Sequence, residues 1–432
     1  MASLKRVTHK SGRVVYRIVI CLGYDKDGNK LVKNLTYSVD QSATPRQQEK
    51  EAMKYAMELE DKLKFGHDVR SEKVSFEEFS DQWLESVKEN LAYGTYIGYK
   101  QLLEGRIQPY FKGYRVAGIR TEDIEAFYRT LAEEYSFGTI RRFANVLSCI
   151  FRTARRWNII ENNPCQYAQK PRRRQENGEL RYFTPQQSVM FLKSLDLTYE
   201  VKYRRRHATE NKEGDVFGEC IKKCNVPTQY KLFYAISIFC GLRKGETLAL
   251  RWGDVDLEGR EIRVSKSVGR TVNGFDCKEP KSASALRRVP IPNKLSVMLK
   301  EYKAEYGFLK SRLGDRWKGD DSLFIQPDGR RMCHTATYQY FVRHLKRYNQ
   351  WVEENPEKAR LKGLERLPMI PLHGLRHSCA TLLNYLDVNI IDISRYLGHA
   401  NCSTTMNIYA HSFEAQKQAA SDKLNEFIRI HT

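Results

Sequence analysis

Four short clusters of polar residues stand in otherwise apolar surroundings, and each could do chemistry. Gly241-Leu242-Arg243-Lys244-Gly245-Glu246-Thr247 directly follows the apolar run Leu232 to Cys240. An arginine at such a boundary is either a structural partner of Glu246, three residues on, or a rigid guanidinium that grips an anion. Lys278-Glu279-Pro280-Lys281-Ser282 precedes Arg287-Arg288-Val289-Pro290-Ile291-Pro292. A lysine at a hairpin tip is either solvated or reaches a phosphate and donates a proton. In His373-Gly374-Leu375-Arg376-His377-Ser378, residues 373 and 376 share one face of a helix. His373 and His377 also have zinc-pair spacing, but Gly374 stands where a metalloprotease pattern needs Glu. The last cluster is Leu397-Gly398-His399-Ala400-Asn401, followed by Ser403 to His411. Gly398 is placed to end one helix and Ser403 to cap the next, with Tyr409 one to two turns into it. One tyrosine among 25 says little alone.

The chain that must position these groups has 432 residues, or about three domains at roughly 150 residues each. Lys and Arg number 73 against 52 Asp and Glu, a formal charge of +21 that selects polyanionic partners, nucleic acid or an anionic membrane surface. With 19 Phe, 25 Tyr and 5 Trp to bury or stack, wholesale disorder is excluded. The longest apolar stretch, Leu232 to Leu242, is about half the roughly 20 residues that span a bilayer. The N-terminal MASLKRVTHKSGR lacks the apolar segment of a secretory signal. Ten scattered cysteines form no disulfide framework, and Cys220, Cys224 and Cys240 lack a second close pair for zinc. The expectation is a soluble intracellular protein with free, mostly buried thiols.

Three elements carry positive charge in a pattern. Val14 to Ile20 reads as a strand, Asp25 to Asn29 as a turn, Lys30 to Tyr37 as a return strand and Pro45 to Phe65 as a helix. Lys5, Arg6, Lys10, Arg13, Arg17, Lys30 and Lys33 crowd this unit, and a sheet with a basic face can enter a major groove. After a polar linker at 66–74, residues 75–169 read as helical, with the stripe Phe76, Phe79, Trp83, Val87. From Arg141 to Trp157, Phe143, Val146, Leu147, Ile150, Phe151, Ala154 and Trp157 share one face at the helical period. Arg141, Arg142, Arg152, Arg155 and Arg156 share the other, placed to neutralise phosphates, and Asn162-Asn163-Pro164 stops the helix. Arg172, Arg173 and Arg174 add a basic run in a linker that divides the chain. Thr184 and Pro185 open a new helix whose Met190, Leu192 and Leu195 point inward. Residues 199–225 are highly charged and read as a surface insertion. Beyond them come a buried helix from Tyr230 broken at Gly241, strands at Ile262–Val264 and Val289–Pro292, and then mostly helix.

Taken together and in this order, the four clusters resemble the tyrosine site-specific recombinases, the phage integrase family. GLRKGE is similar to that family's first arginine box and PKS to its hairpin lysine. HGLRH resembles its His-x-x-Arg box, and LGHANCSTTMNIYAH its third-histidine and tyrosine box. The resemblance implies that Tyr409 attacks a phosphodiester to leave a 3′-phosphotyrosyl link. Arg243 and Arg376 would hold the non-bridging oxygens, and Lys281, with Lys278 as fallback, would protonate the departing 5′ oxygen. His373 would act as base toward the tyrosine, and His399 would donate to the phosphate. Tyrosine, with a pKa near 10, is a poor nucleophile at neutral pH and needs such a base and cationic surroundings. The covalent link conserves the phosphodiester's energy, so the resemblance implies no cofactor, neither ATP nor metal.

The implied fold is multidomain and mainly α with small β-sheets. An arm-type DNA-binding domain, a three-stranded sheet plus helix, would occupy 1–70 and a helical core-binding domain 75–169. A mixed α/β tyrosine recombinase catalytic domain with a tail helix would occupy 180–432, after a linker at 170–179. The tail's Ala420, Leu424, Phe427 and Ile428 form a narrow stripe that docks on a neighbouring protomer or on its own domain. The implied partners are double-stranded DNA at core and arm sites, further copies of the chain in a tetrameric synapse, and an accessory excision factor, with no membrane. The implied setting is the bacterial cytoplasm at the nucleoid, and the three-stranded sheet favours a conjugative element over a phage. A type IB topoisomerase-like enzyme, or a non-catalytic DNA-binding protein, are the alternatives; an intact catalytic set argues against the latter.

Overall fold

The computed structural model describes residues 3–8, 13–24, 30–64, 74–171, 182–207, 216–279, 286–399 and 429. The described chain is mainly helical with four small sheets and divides into two compact units, Met1–Gln175 and Glu176–Thr432. None of its described helices is long and apolar enough to cross a membrane.

The first unit opens with strands β1 (Ser3–Thr8), β2 (Val14–Tyr24) and β3 (Lys30–Ser38) in an antiparallel sheet of order β1-β2-β3, followed by helix α1 (Pro45–Lys64). Alternation along β2 sends Tyr16, Ile18 and Ile20 to the side covered by Ala52 and Ala56 of α1. The register sets Lys5 opposite Arg17 on the other face, and both are exposed. Arg6 is a correction to the single basic face: it pairs with Tyr16 and so belongs to the face that α1 covers.

A second core in this unit is wholly helical. It is built from α2 (Phe76–Val87), α3 (Tyr93–Leu102), the short α4 (Gln108–Tyr110), α5 (Thr121–Glu134) and α6 (Phe137–Arg156). Ser75 caps α2, its hydroxyl accepting from the Glu78 amide at 3.2 Å. The inner face of α6 buries Phe143, Val146, Leu147, Ile150, Phe151 and Ala154, each large side chain contributing about 1.5–3 kcal/mol. All five arginines of α6 are exposed on the opposite side. Trp157 is corrected: it is 40% exposed, at the helix end, and only edges onto Phe79. The stop is also earlier than Asn162-Asn163-Pro164. Asn158 turns left-handed (φ 58°), a conformation its short polar side chain tolerates, and the Ile159 amide bonds back to Ala154.

The second unit starts at α7 (Pro185–Ser194). Thr184 and Gln187 form a reciprocal capping box, and Phe191 and Leu195 are the fully inward residues, with Met190 and Leu192 only partly buried. The segment 199–225 holds two antiparallel strands, β4 (Tyr199–His207) and β5 (Val216–Cys224). Its first residue belongs to the core: Tyr199 is 1% exposed, and its hydroxyl donates to the Ser194 carbonyl at 2.8 Å. Replacing Val201–Lys222 by a tight turn while keeping Tyr199 is therefore expected to shift stability by no more than about 0.5 kcal/mol in urea. Loss of a single cooperative transition would show that the strands belong to the core.

Helix α8 (Thr228–Phe239) is apolar on every side because it runs through the middle of the unit; Leu232, Phe233, Ile236 and Ile238 are all sealed. After α9 (Lys244–Ala249) come β6 (Val255–Asp256), β7 (Glu261–Val264), a hairpin of β8 (Ser267–Thr271) and β9 (Gly274–Lys278), and then β10 (Arg287–Pro290). β10, β7 and β6 form one antiparallel sheet. Lys278 is not at a hairpin tip: it ends β9 opposite Ser267, and the tip is at Val272 and Asn273. The helices described after β10 are α10 (Asn293–Leu313), α11 (Ala336–Glu354), α12 (Pro356–Leu361), α13 (Gly374–Tyr385) and α14 (Ile390–Leu397).

Candidate active site

Three helix ends converge on one point of the second unit. At Gly241, φ is +61°, and a Cβ there would lie 2.3 Å from Leu397 Cδ2 and 3.1 Å from Cys379 Sγ. Only glycine lets the end of α8 approach α13 and α14 so closely. Gly398 closes α14 in the left-handed conformation (φ 67°), which aims His399 back toward the same point.

Arg376, in the first turn of α13, ties these ends together. Its Nη1 donates to the Gly241 carbonyl at 2.7 Å and its Nη2 to the Leu397 carbonyl at 2.6 Å. The side chain is only 2% exposed, and burial together with nearby Arg243 lowers its pKa to about 9. Arg243 is the N-cap of α9 and is 39% exposed, with Nη1 donating to Glu246 Oε1 at 2.7 Å and Nη2 to the Gly398 carbonyl at 3.4 Å. It presents a guanidinium to an incoming anion more openly than Arg376, whose remaining N–H donors lie deeper.

Glu246 is the hub of this charge arrangement, with 5% of its side chain exposed. Besides Arg243, its carboxylate accepts from Arg287 Nη2 at 2.9 Å and lies 3.9 Å from Arg376 Nη1. Burial alone would raise its pKa, but the bonds and charges of Arg287 and Arg243 overcome this and hold it below the usual carboxylate range. Three guanidiniums around one carboxylate leave excess positive charge beside the histidines, as a phosphate site requires.

His373 precedes α13, and its ring meets that of His377 edge-on at 4.9 Å. Desolvation of the ring, with His377, Arg376 and Arg243 adding repulsion, pushes its pKa down to about 4. His399 is half-buried and is held near 4 by burial and by Arg376 and Arg243. Both are neutral at pH 7, so either can accept a proton.

Arg243, His373, Arg376 and His399 are thus brought together. Lys281 and Tyr409 lie outside the described residues, as do Arg172, Arg173 and Arg174 and the tail stripe. Lys278 is described: its Nζ donates to the Arg270 carbonyl across the hairpin. The clearest omission from the sequence reading is Arg287, 8% exposed, whose Nη2 bonds Glu246 and whose Nε donates to the Tyr396 carbonyl at 3.1 Å. Its signal is the two-residue strand period, which sets Arg287 on the side of buried Val289 while Arg288 faces out to pair with Glu261.

Comparison with known proteins agrees with this chemistry. The phage integrase family model matches residues 213–416, and the N-terminal SAM-like domain of phage integrases matches 75–132. A XerC-like tyrosine recombinase of Caldanaerobacter subterraneus subsp. tengcongensis is 26% identical, over 96% of this chain and 97% of its own length. The ICEBs1 integrase of Bacillus subtilis is also 26% identical, over 87% and 90%. Among solved structures, the Tn1549 transposon integrase in complex with a circular intermediate DNA shares the fold. Its TM-score is 0.60 at 21% identity, covering 80% of this chain and 99% of that one. The chain belongs to the phage integrase family, as a tyrosine recombinase resembling the integrases of conjugative transposons.

Proposed function

We propose that this recombinase integrates and excises a mobile element, cleaving and rejoining DNA through a 3′-phosphotyrosine intermediate and a Holliday junction. The observation that carries the reading is the meeting of Arg243, Arg376, His373 and His399 around a buried, arginine-surrounded Glu246. In the cleavage step the Tyr409 oxygen bonds to phosphorus and its proton passes to His373. The bond from phosphorus to the 5′ oxygen breaks, and Lys281 gives that oxygen a proton. Arg243 and Arg376 offset the charge that grows on the non-bridging oxygens, with His399 donating to one of them. Rejoining reverses these transfers, so no net energy source is consumed.

DNA is held by more than the site. The five exposed arginines of α6 suit phosphate contacts along a core site, with Arg172, Arg173 and Arg174 continuing the charge. Residues 1–70 are assigned to arm sites, 75–169 to core binding and 180–432 to catalysis. Four copies would pair two duplexes, aided by an accessory excision factor, at the nucleoid in the cytoplasm.

The direct test uses a labelled duplex carrying the end of the host element, nicked just beyond the scissile phosphate, incubated with protein in EDTA. A covalent band on a denaturing gel supports the reading; tight binding without a band across all candidate ends overturns it. Deleting residues 1–70 is expected to leave core-site cleavage within about two-fold while reducing complete recombination at least about ten-fold, because synapsis loses its arm contacts. Equal recombination by the truncated protein would remove the arm-binding assignment.

A further inference from the structure

The hairpin of β8 and β9 is fastened to the catalytic unit at both ends. Near its base, Gly245 of α9 lies so close that a Cβ would sit 2.5 Å from Ser267 Oγ and 2.6 Å from the Val268 carbonyl. Near its tip, the Phe275 ring lies flat on the His334 ring, with centroids 4.1 Å apart and planes 9° apart. His334 Nδ1 is 3.3 Å from Lys244 Nζ, and Lys244 directly follows Arg243. One residue along β9, Asp276 lies 3.4 Å from Arg331 Nη1.

An isolated two-stranded hairpin is marginal in water, so these fastenings decide where β9 lies. The ion pair to exposed Asp276 is worth little by itself. A stacked aromatic pair is worth about 0.5–1.5 kcal/mol beyond the area it buries, and is the stronger fastening. Burial and the charge of Lys244 hold His334 near pKa 4, so its neutral Nδ1 can accept from the Lys244 ammonium while the ring stacks. A continuous path therefore runs from Phe275 through His334 and Lys244 to the first turn of the helix that Arg243 caps. β9 ends at Lys278, three residues before Lys281 in the chain.

We infer that Phe275 and His334 are positioning residues for the proton-donating step: their stack sets β9, the strand that leads in the chain to Lys281, relative to Arg243. This rests on the assignment of Lys281 as the acid. Phe275 is 49% exposed, so its truncation leaves the core packed.

The test is single-turnover cleavage of the nicked duplex described above, made with either an ordinary phosphate or a sulfur in place of the bridging 5′ oxygen. With sulfur, the leaving group departs as a thiolate and needs no proton, so defects in acid delivery disappear. Phe275→Ala and His334→Ala are expected to cleave the ordinary duplex at least about ten-fold more slowly, a fraction of what a general acid supplies. On the sulfur duplex both should return to within about two-fold of the parent, as should Lys281→Ala. Phe275→Trp, which keeps the stack, should retain the parent rate on both. Parent-like rates of the alanine variants on the ordinary phosphate would overturn the inference. So would equal slowing on both duplexes while Lys281→Ala is rescued. If sulfur fails to rescue Lys281→Ala, the acid assignment itself falls and the inference with it.

Discussion

Tyr409→Phe is expected to bind DNA within about two-fold of the parent yet to lose the covalent adduct, a fall of at least about 10⁴-fold in cleavage. The substitution removes one oxygen, and that oxygen is the proposed nucleophile. A tyrosine hydroxyl titrates near pH 10, so attack at neutral pH needs a base and nearby positive charge. Both are present in the described part of the site: His373, neutral with a pKa near 4, and the guanidiniums of Arg243 and Arg376. Arg243 is held by Glu246 and the Gly398 carbonyl, and Arg376 by the Gly241 and Leu397 carbonyls, so phosphate binding is expected to survive the substitution. Among nearby tyrosines, Tyr396 is no substitute, because its hydroxyl donates to the Phe239 carbonyl at 2.9 Å and burial holds its pKa far above 10. A denaturing gel beside a native mobility shift separates the two properties. Adduct retained by the variant would remove Tyr409 from the mechanism.

Glu246→Ala is expected to cost about 3–5 kcal/mol of stability, the usual range when one partner of a buried ion pair is deleted. Arg287 and Arg376, 8% and 2% exposed, would then face each other with no carboxylate between them. Because the folded pKa of Glu246 is depressed, its contribution is complete above the unfolded value, about 4.3, and is lost as pH falls through the folded one. The histidines act in the same sense. His373 and His399, near 4 when folded and about 6.5 when unfolded, take up protons on unfolding, so stability falls as pH drops from about 6.5 toward 4. Urea unfolding at pH 7, 5 and 3 should separate the two parts: the histidine loss develops between about pH 6.5 and 4, and the Glu246 loss, absent in the variant, only below about pH 4. DNA supplies phosphate charge to the same cluster, so saturating duplex should recover more stability in Glu246→Ala than in the parent. An unchanged urea midpoint at pH 7 would mean that Glu246 is not the counter-charge of this cluster.

Much of the fold follows from local pattern. The inner face of α6 is legible because a 20-residue amphipathic helix repeats its signal over five turns. The Thr184 cap and the breaks at Gly241 and Gly398 are legible because each depends on a residue and its immediate neighbours. That strands pair within the charged segment 199–225 was not legible, because such strands carry little apolar alternation. The end of α6 was misplaced because any of several polar residues could turn the chain, and Asn158 does so first.

The roles proposed for nucleophile, base, acid and anion grip follow from the family resemblance; the sequence alone displayed four polar clusters in a fixed order on a strongly basic, mainly helical chain. Those properties depend on residue type and short spacing, which a linear chain displays. Only the tertiary structure decided that Arg376 is enclosed while Arg243 is open, that Arg287 joins them at Glu246, and that Phe275 stacks on His334. The elements involved are separated in the chain by tens to more than a hundred residues. Their contacts, and the pKa shifts that follow, arise from which helix ends and strands a folded core brings within a few ångströms, a distance that residue spacing does not encode.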